Sequence, residues 1–234
     1  MKTTDTQSTE PKAIGGPREQ IAVQLAEAAA RALTADLADQ PRALLVVSGG
    51  STPLPFFQRL AEQALDWSRV DVTLADERWV AADHPDSNAR LVRETLLVGP
   101  AAAATFHSLT TDDPTPEQGV ATVAARLAAL PWPASLVVLG MGNDGHTASL
   151  FPDSGELSLA LSTDDSVVAV RAPSVSQPRI TLSAARLHDA RRHALHLVGD
   201  AKKAVLAQAL SGDDVRELPI RAFLTCPLTL YWAP

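Results

Sequence analysis

The stretch Leu136-Val137-Val138-Leu139-Gly140-Met141-Gly142-Asn143-Asp144-Gly145-His146-Thr147-Ala148-Ser149-Leu150-Phe151-Pro152 decides how the rest of the chain is read. Its first four residues form an unbroken apolar run, the pattern of a strand buried on both faces of a parallel sheet. Gly140, Gly142 and Gly145 follow, and residues without a Cβ let a ligand come close to the main chain. In open α/β sheets ligands bind outside the carboxyl ends of the strands. Asp144 and His146 are therefore expected at the mouth of a crevice. The spacing Gly140-x-Gly142-x-x-Gly145 also fits a dinucleotide fingerprint, with Asp164 and Asp165 about 20 residues on. That fingerprint needs a helix opening at the glycines, and Pro152 and Gly155 leave room for barely two turns.

Working outward, residues 43–47 make a second buried strand, and Ser48-Gly49-Gly50-Ser51-Thr52-Pro53 turns it into a helix reaching about residue 65. Thr52 is a plausible N-cap and Pro53 a favoured first helical residue. The backbone N–H groups of this loop would face an anion at the positive end of the helix. No P-loop lysine follows, which argues against a nucleoside-triphosphate cradle. Residues 70–75 form a third strand with the charged cluster Asp76-Glu77-Arg78 at its exit. Ser87 and Asn88 cap a helix to about residue 97, and their side chains could reach the same crevice. Residues 18–37 carry apolar positions at helical spacing. Short strands are expected near 106–109, at 167–170, 180–183 and 194–198, and at 220–224 and 228–232 to complete the sheet, with helices over 115–130 and from Gly199. Pro173 and Pro178 stiffen a loop that could aim Arg179 inward. Lys202 and Lys203 sit near a helix N-terminus, where cations are disfavoured unless an anion binds. The alternation predicts an α/β fold: a Rossmann-like, open, mainly parallel sheet with helices on both faces.

At 234 residues, 46% hydrophobic and 20% charged, the chain fits one large α/β domain over residues 17–234, after a disordered tail over 1–16. No apolar run approaches the ~20 residues that span a bilayer. The opening residues lack the apolar core of a signal peptide, so a cytoplasmic protein is expected. A net charge of −7 argues against nucleic acid as a partner. Cys226 is the sole cysteine, expected as a buried strand thiol, and His188, His193 and His196 share no metal-ligand spacing, so no metal is assigned. His107 is expected to be structural.

GMGNDGHTASLFP at 140–152 resembles the signature of the 6-phosphogluconolactonases, relatives of the glucosamine-6-phosphate deaminases. VSGGSTP at 47–53, DERWV at 76–80, SNARLVRETLL at 87–97, PRITLS at 178–183 and GDAKKAVL at 199–206 resemble family segments in the same order. The resemblance implies hydrolysis of 6-phospho-D-glucono-1,5-lactone to 6-phospho-D-gluconate in the oxidative pentose phosphate pathway. It implies no metal and no organic cofactor. The partner would be a small sugar-phosphate lactone, with no nucleic acid and no membrane, for a monomer or small homo-oligomer. His146 is the residue type able to take a proton from water at neutral pH, with Asp144 orienting it. Asp76 and Arg78 would contact the sugar-derived part. Arg78 and glycine-turn N–H groups, Gly142 among them, would stabilise the oxyanion. Ser48, Gly49, Gly50, Ser51, Thr52, Arg179 and Lys202 would hold the phosphate. The deaminases continue their motif into Asn-Glu-Pro, where this chain has Leu150-Phe151-Pro152, and phenylalanine cannot shuttle a proton. A non-catalytic sugar-phosphate sensor is the other alternative, but about sixteen tail residues leave no room for a helix-turn-helix.

Overall fold

The computed structural model describes residues 11–234. In chain order the elements are β1 (Lys12–Gly15), α1 (Arg18–Asp39), β2 (Ala43–Val47), α2 (Leu54–Ala61), β3 (Val70–Leu74), β4 (Asp76–Arg78), α3 (Asn88–Thr95), β5 (Thr105–His107), α4 (Pro116–Ala128), β6 (Leu136–Leu139), α5 (Leu157–Ser162), β7 (Val167–Val170), β8 (Arg179–Leu182), α6 (Ala184–His188), β9 (His193–Val198), α7 (Asp200–Leu210), α8 (Arg221–Leu224) and β10 (Leu228–Ala233). The apolar runs at β2, β3 and β6 are buried along their whole length, which is why they stack side by side in a parallel sheet. Seven strands pair all-parallel in the order β1-β10-β9-β6-β2-β3-β5. Helices surround the sheet: α1 packs on α2 and against β2, β6 and β10, and α7 packs against β9 and α8. No helix among the described residues is long and apolar enough to cross a membrane.

The strand order places the site. β2 and β6 are neighbours, and the chain leaves this pair in opposite directions, through β3 and β5 on one side and β9 and β10 on the other. Such a reversal opens a crevice beyond the carboxyl ends of the two strands. Val47 pairs with Val138, so the loops after both strands emerge together. The Ser48 backbone N–H and hydroxyl each donate to the Val138 carbonyl at 3.1 Å, pinning them.

A second sheet was not foreseen: β4-β8-β7 is three-stranded and antiparallel. Asp76-Glu77-Arg78 reads as a solvated turn in sequence, because its polar residues carry no apolar alternation. Pairing with β8 makes it a strand.

The tail expected over residues 1–16 includes residues that form a strand. Residues 1–10 lie outside the described residues, but Lys12–Gly15 forms an edge strand parallel to β10. Backbone bonds rather than a buried face hold β1, whose side chains are exposed apart from half-buried Ile14, so no hydrophobic pattern marks it. Residues 220–224, expected as a strand, contain helix α8 instead. A short apolar run does not distinguish the two. What decides is Arg221, which donates to the Gln208 and Ala209 carbonyls at the end of α7 and to Glu217 at 2.6 Å. Cys226 consequently lies half-buried in the turn before β10, not inside a strand. Thr52 does not cap α2, which begins after Pro53 without a side-chain cap. The segment after Pro152 is not irregular throughout, since it contains α5. His107 is structural as expected: its Nε2 lies 2.8 Å from the buried Asp71 carboxylate, which Arg42 also holds at 2.6 Å.

Candidate active site

A cavity of about 340 Å³ opens where the β2 and β6 loops meet, and Ser48, Gly49, Gly50, Ser51, Thr52, Asp76, Arg78, Gly142, His146, Arg179 and Lys202 all line it. That is the scale of a small-molecule site. Asp144 stands behind His146 rather than on the wall.

Asp144 Oδ1 lies 2.5 Å from His146 Nδ1. With Nδ1–H donating to the carboxylate, the lone pair of the neutral ring is on Nε2. Burial alone would raise the Asp144 carboxyl, but the hydrogen bond and charge of His146 outweigh it and hold the group below its ordinary value. Phe151 lies against the ring at 4.5 Å. Gly142 is required for this pair, because a Cβ there would collide with the imidazole and with Asp144. Its N–H donates to the His146 carbonyl at 2.9 Å, so the expected donation by Gly142 to an oxyanion is corrected. Closing the turn has already used that hydrogen.

On the facing wall, the N–H groups of Gly49, Gly50, Ser51 and Thr52 donate to no protein acceptor among the described residues. Gly49 is needed for close packing, since a Cβ would overlap the Asn88 carboxamide. The Ser48 hydroxyl, by contrast, is engaged with Val138.

The small sheet supplies the cations. Arg78 and Arg179 are directly paired across β4 and β8, and strand alternation sends Asp76 and Arg78 to one face and Glu77 to the other. Arg78 donates to the Asp86 carbonyl at 3.0 Å and to Asn88 Oδ1. Arg179 is buried, and among the described residues its side chain donates no hydrogen bond; its guanidinium lies 5.8 Å from the Phe151 ring centre. Burial, then the charge of Arg78, push Arg179 below the ordinary arginine value. A buried cation without a partner is costly, and an anion in the cavity supplies one. Asp76 is buried, with Oδ2 accepting from the Ser149 hydroxyl at 2.6 Å.

Lys202, in the first turn of α7, is half-buried and forms no ion pair among the described residues; burial lowers its pKa. Lys203 instead sits over the Trp232 ring at 4.0 Å.

Two residues escaped the sequence reading. His196 in β9 lines the cavity, and its buried Nδ1 has no partner among the described residues. Burial, then the charge of Lys202, push it down to about 4. Nothing in the sequence around it marks the residue; only strand register brings it to the wall. Glu77 is fully buried and accepts from the N–H groups of Arg78, Asn88 and Ala89 and from the Ser87 hydroxyl, at 2.6–3.1 Å. Its carboxylate thus ties the start of α3 to β4, and burial nevertheless raises its pKa. Three consecutive charged residues carry no alternation, so nothing in the local sequence marks Glu77 as the buried one.

Residues 17–232 match the family model described as glucosamine-6-phosphate isomerases/6-phosphogluconolactonase. The chain is 47% identical to a 6-phosphogluconolactonase of Pseudomonas aeruginosa over 94% of this chain and 93% of that protein. A crystal structure of a 6-phosphogluconolactonase from Shewanella baltica superposes with a TM-score of 0.94 at 44% identity, covering 97% of this chain and 99% of that one. A monomeric glucosamine-6-phosphate deaminase shares the fold at a TM-score of 0.76 and 17% identity, covering 95% and 97% of the respective chains.

Proposed function

This chain belongs to the family of glucosamine-6-phosphate isomerases and 6-phosphogluconolactonases, and we propose that it hydrolyses 6-phospho-D-glucono-1,5-lactone to 6-phospho-D-gluconate through water activated by His146. The observation that carries this reading is the union, in one cavity, of a carboxylate-oriented imidazole with two cations, Arg179 and Lys202, that have no anionic partner among the described residues.

Water attacks the lactone carbonyl as His146 Nε2 takes its proton. The imidazolium formed is stabilised by Asp144, whose bond to Nδ1 also fixes the tautomer. As the tetrahedral intermediate collapses, the same proton is returned to the departing ring oxygen, so the ester C–O bond breaks and the product carries a carboxylic acid and a free hydroxyl. Arg78 is the donor assigned to the developing oxyanion. The phosphate is assigned to Arg179, Lys202 and the N–H groups of Gly49, Gly50, Ser51 and Thr52, which a dianion would satisfy together. Asp76, engaged with Ser149, is assigned to orient the sugar-derived hydroxyls by its remaining acceptor capacity.

Phe151 favours the lactonase over a deaminase. Its ring lies against His146 and faces the Arg179 guanidinium at 5.8 Å, and it offers no group that moves a proton where the deaminases carry a glutamate. The test is acid release from the phosphorylated lactone above the spontaneous rate, alongside ammonia release from glucosamine 6-phosphate. Lactone opening at the background rate, or dominant ammonia release, would overturn the assignment.

A further inference from the structure

We propose that His188, His193 and Cys226 form a zinc-binding site at the end of the sheet opposite the substrate cavity. Among the described residues they are a group whose ligand atoms, one from each residue, all lie within 4.8 Å of one another. They come from three places: the end of α6, the first residue of β9 and the turn before β10. His193 pairs in register with Leu228, which brings Cys226, two positions earlier, alongside it. Histidine spacing in the sequence shows no motif because the sulfur donor lies in a distant segment that only the parallel pairing of β9 with β10 returns to the site.

His193 is prepared as a ligand. Its Nε2 lies 2.9 Å from the Leu187 carbonyl, and donating Nε2–H to that oxygen leaves the lone pair on Nδ1. Anchoring of one ring nitrogen by a carbonyl is the usual support of a metal-bound imidazole. The His188 ring is stacked on Phe223 at 4.6 Å, and its exposed position leaves a fourth coordination place to water. Cys226 Sγ–H donates to the Phe223 carbonyl at 2.9 Å. Zinc binding breaks that S–H bond, gives the proton to water and replaces it with a thiolate–metal bond. Tetrahedral zinc with bonds of ~2.0–2.1 Å to nitrogen and ~2.3 Å to sulfur needs donors roughly 3.3–3.7 Å apart. The cluster must therefore tighten by on the order of 1 Å, which the exposed His188 and the turn at Cys226 allow. Two imidazoles and a thiolate select zinc over magnesium or calcium.

Because Cys226 is the only cysteine in the chain, a thiolate-to-cobalt charge-transfer band reports this site and no other. Titration of the reduced protein with Co²⁺ should produce that band, saturating at one ion per chain and lost on adding Zn²⁺. Cys226→Ser should abolish it. His188→Gln, at an exposed position that leaves the fold and the lactone kcat/KM unchanged, should weaken Co²⁺ binding roughly tenfold or more. No charge-transfer band in the wild type, visible cobalt bands without charge transfer, or an unaltered affinity in His188→Gln would each overturn the proposal.

Discussion

In the proposed mechanism His146 and Lys202 serve opposite ends of the substrate, and single substitutions separate them. His146→Ala is expected to lower kcat by the 10²–10⁴ typical of a lost general base, and Asp144→Asn to lower it as well, since an amide cannot hold the productive tautomer. Circular dichroism should be unchanged in both; a His146→Ala protein with near wild-type turnover, after subtraction of spontaneous opening, removes the residue from the mechanism. Lys202→Ala removes one charge-assisted hydrogen bond, worth about 1.5–3 kcal/mol, so kcat/KM on the phosphorylated lactone should fall roughly ten- to a hundredfold. Glucono-1,5-lactone, without phosphate, should be hydrolysed equally by both proteins. Burial holds Lys202 below the ordinary lysine value, so it loses its charge at a lower pH than a solvated lysine. Binding of 6-phosphogluconate should weaken as pH rises through that lowered value, and calorimetry of Lys202→Ala should lack this alkaline limb. That these residues would meet at one cavity was legible because each sits in a short motif whose composition has a chemical reason. His196 was not, because its role follows from desolvation and from proximity to Lys202, neither of which leaves a local trace.

Among the elements, the buried parallel strands were legible and the edges were not. β2, β3 and β6 announce themselves as apolar runs, whereas β1 and β4 depend on partners far away in sequence. α8 shows the same limit from the other side: its apolar residues suit a strand equally well, and the choice rests on Arg221 satisfying the carbonyls that end α7. β1 gives this a measurable form. Removing residues 1–15 deletes its ladder bonds, each worth about 1 kcal/mol net, and should lower Tm by roughly 2–8 °C. The lactone kcat should be unaffected, since no β1 residue lines the substrate cavity. An unchanged Tm would mean that β1 contributes nothing to stability.

The molecule as a whole carries a charge of −7 yet gathers Arg78, Arg179 and Lys202 around one cavity that Asp76 also lines, a local concentration of cations that net charge does not reveal. The same enclosure makes stability depend on pH through His196. Its folded value, about 4, lies below the ordinary 6.5, so the unfolded chain binds the proton first. The resulting stability is fully present above pH ~6.5 and is lost as pH falls towards ~4, on the order of 3 kcal/mol in all. Urea unfolding of His196→Leu should show a flatter profile across that window than the wild type; parallel profiles would refute the assignment. Finally, among the described residues β1 has β10 as its only sheet neighbour, which bears on the order of assembly during synthesis. Residues 12–15 are made early but have nothing to pair with until residues 228–233 follow, while β2, β3, β5 and β6 can associate sooner. Their docking closes one of the longest loops in the chain and belongs to the last steps of folding. Amide hydrogen exchange should accordingly find the β1 protons released by a local opening far cheaper than the global unfolding that frees those of β2, and equal protection of the two strands would show that they form as one unit.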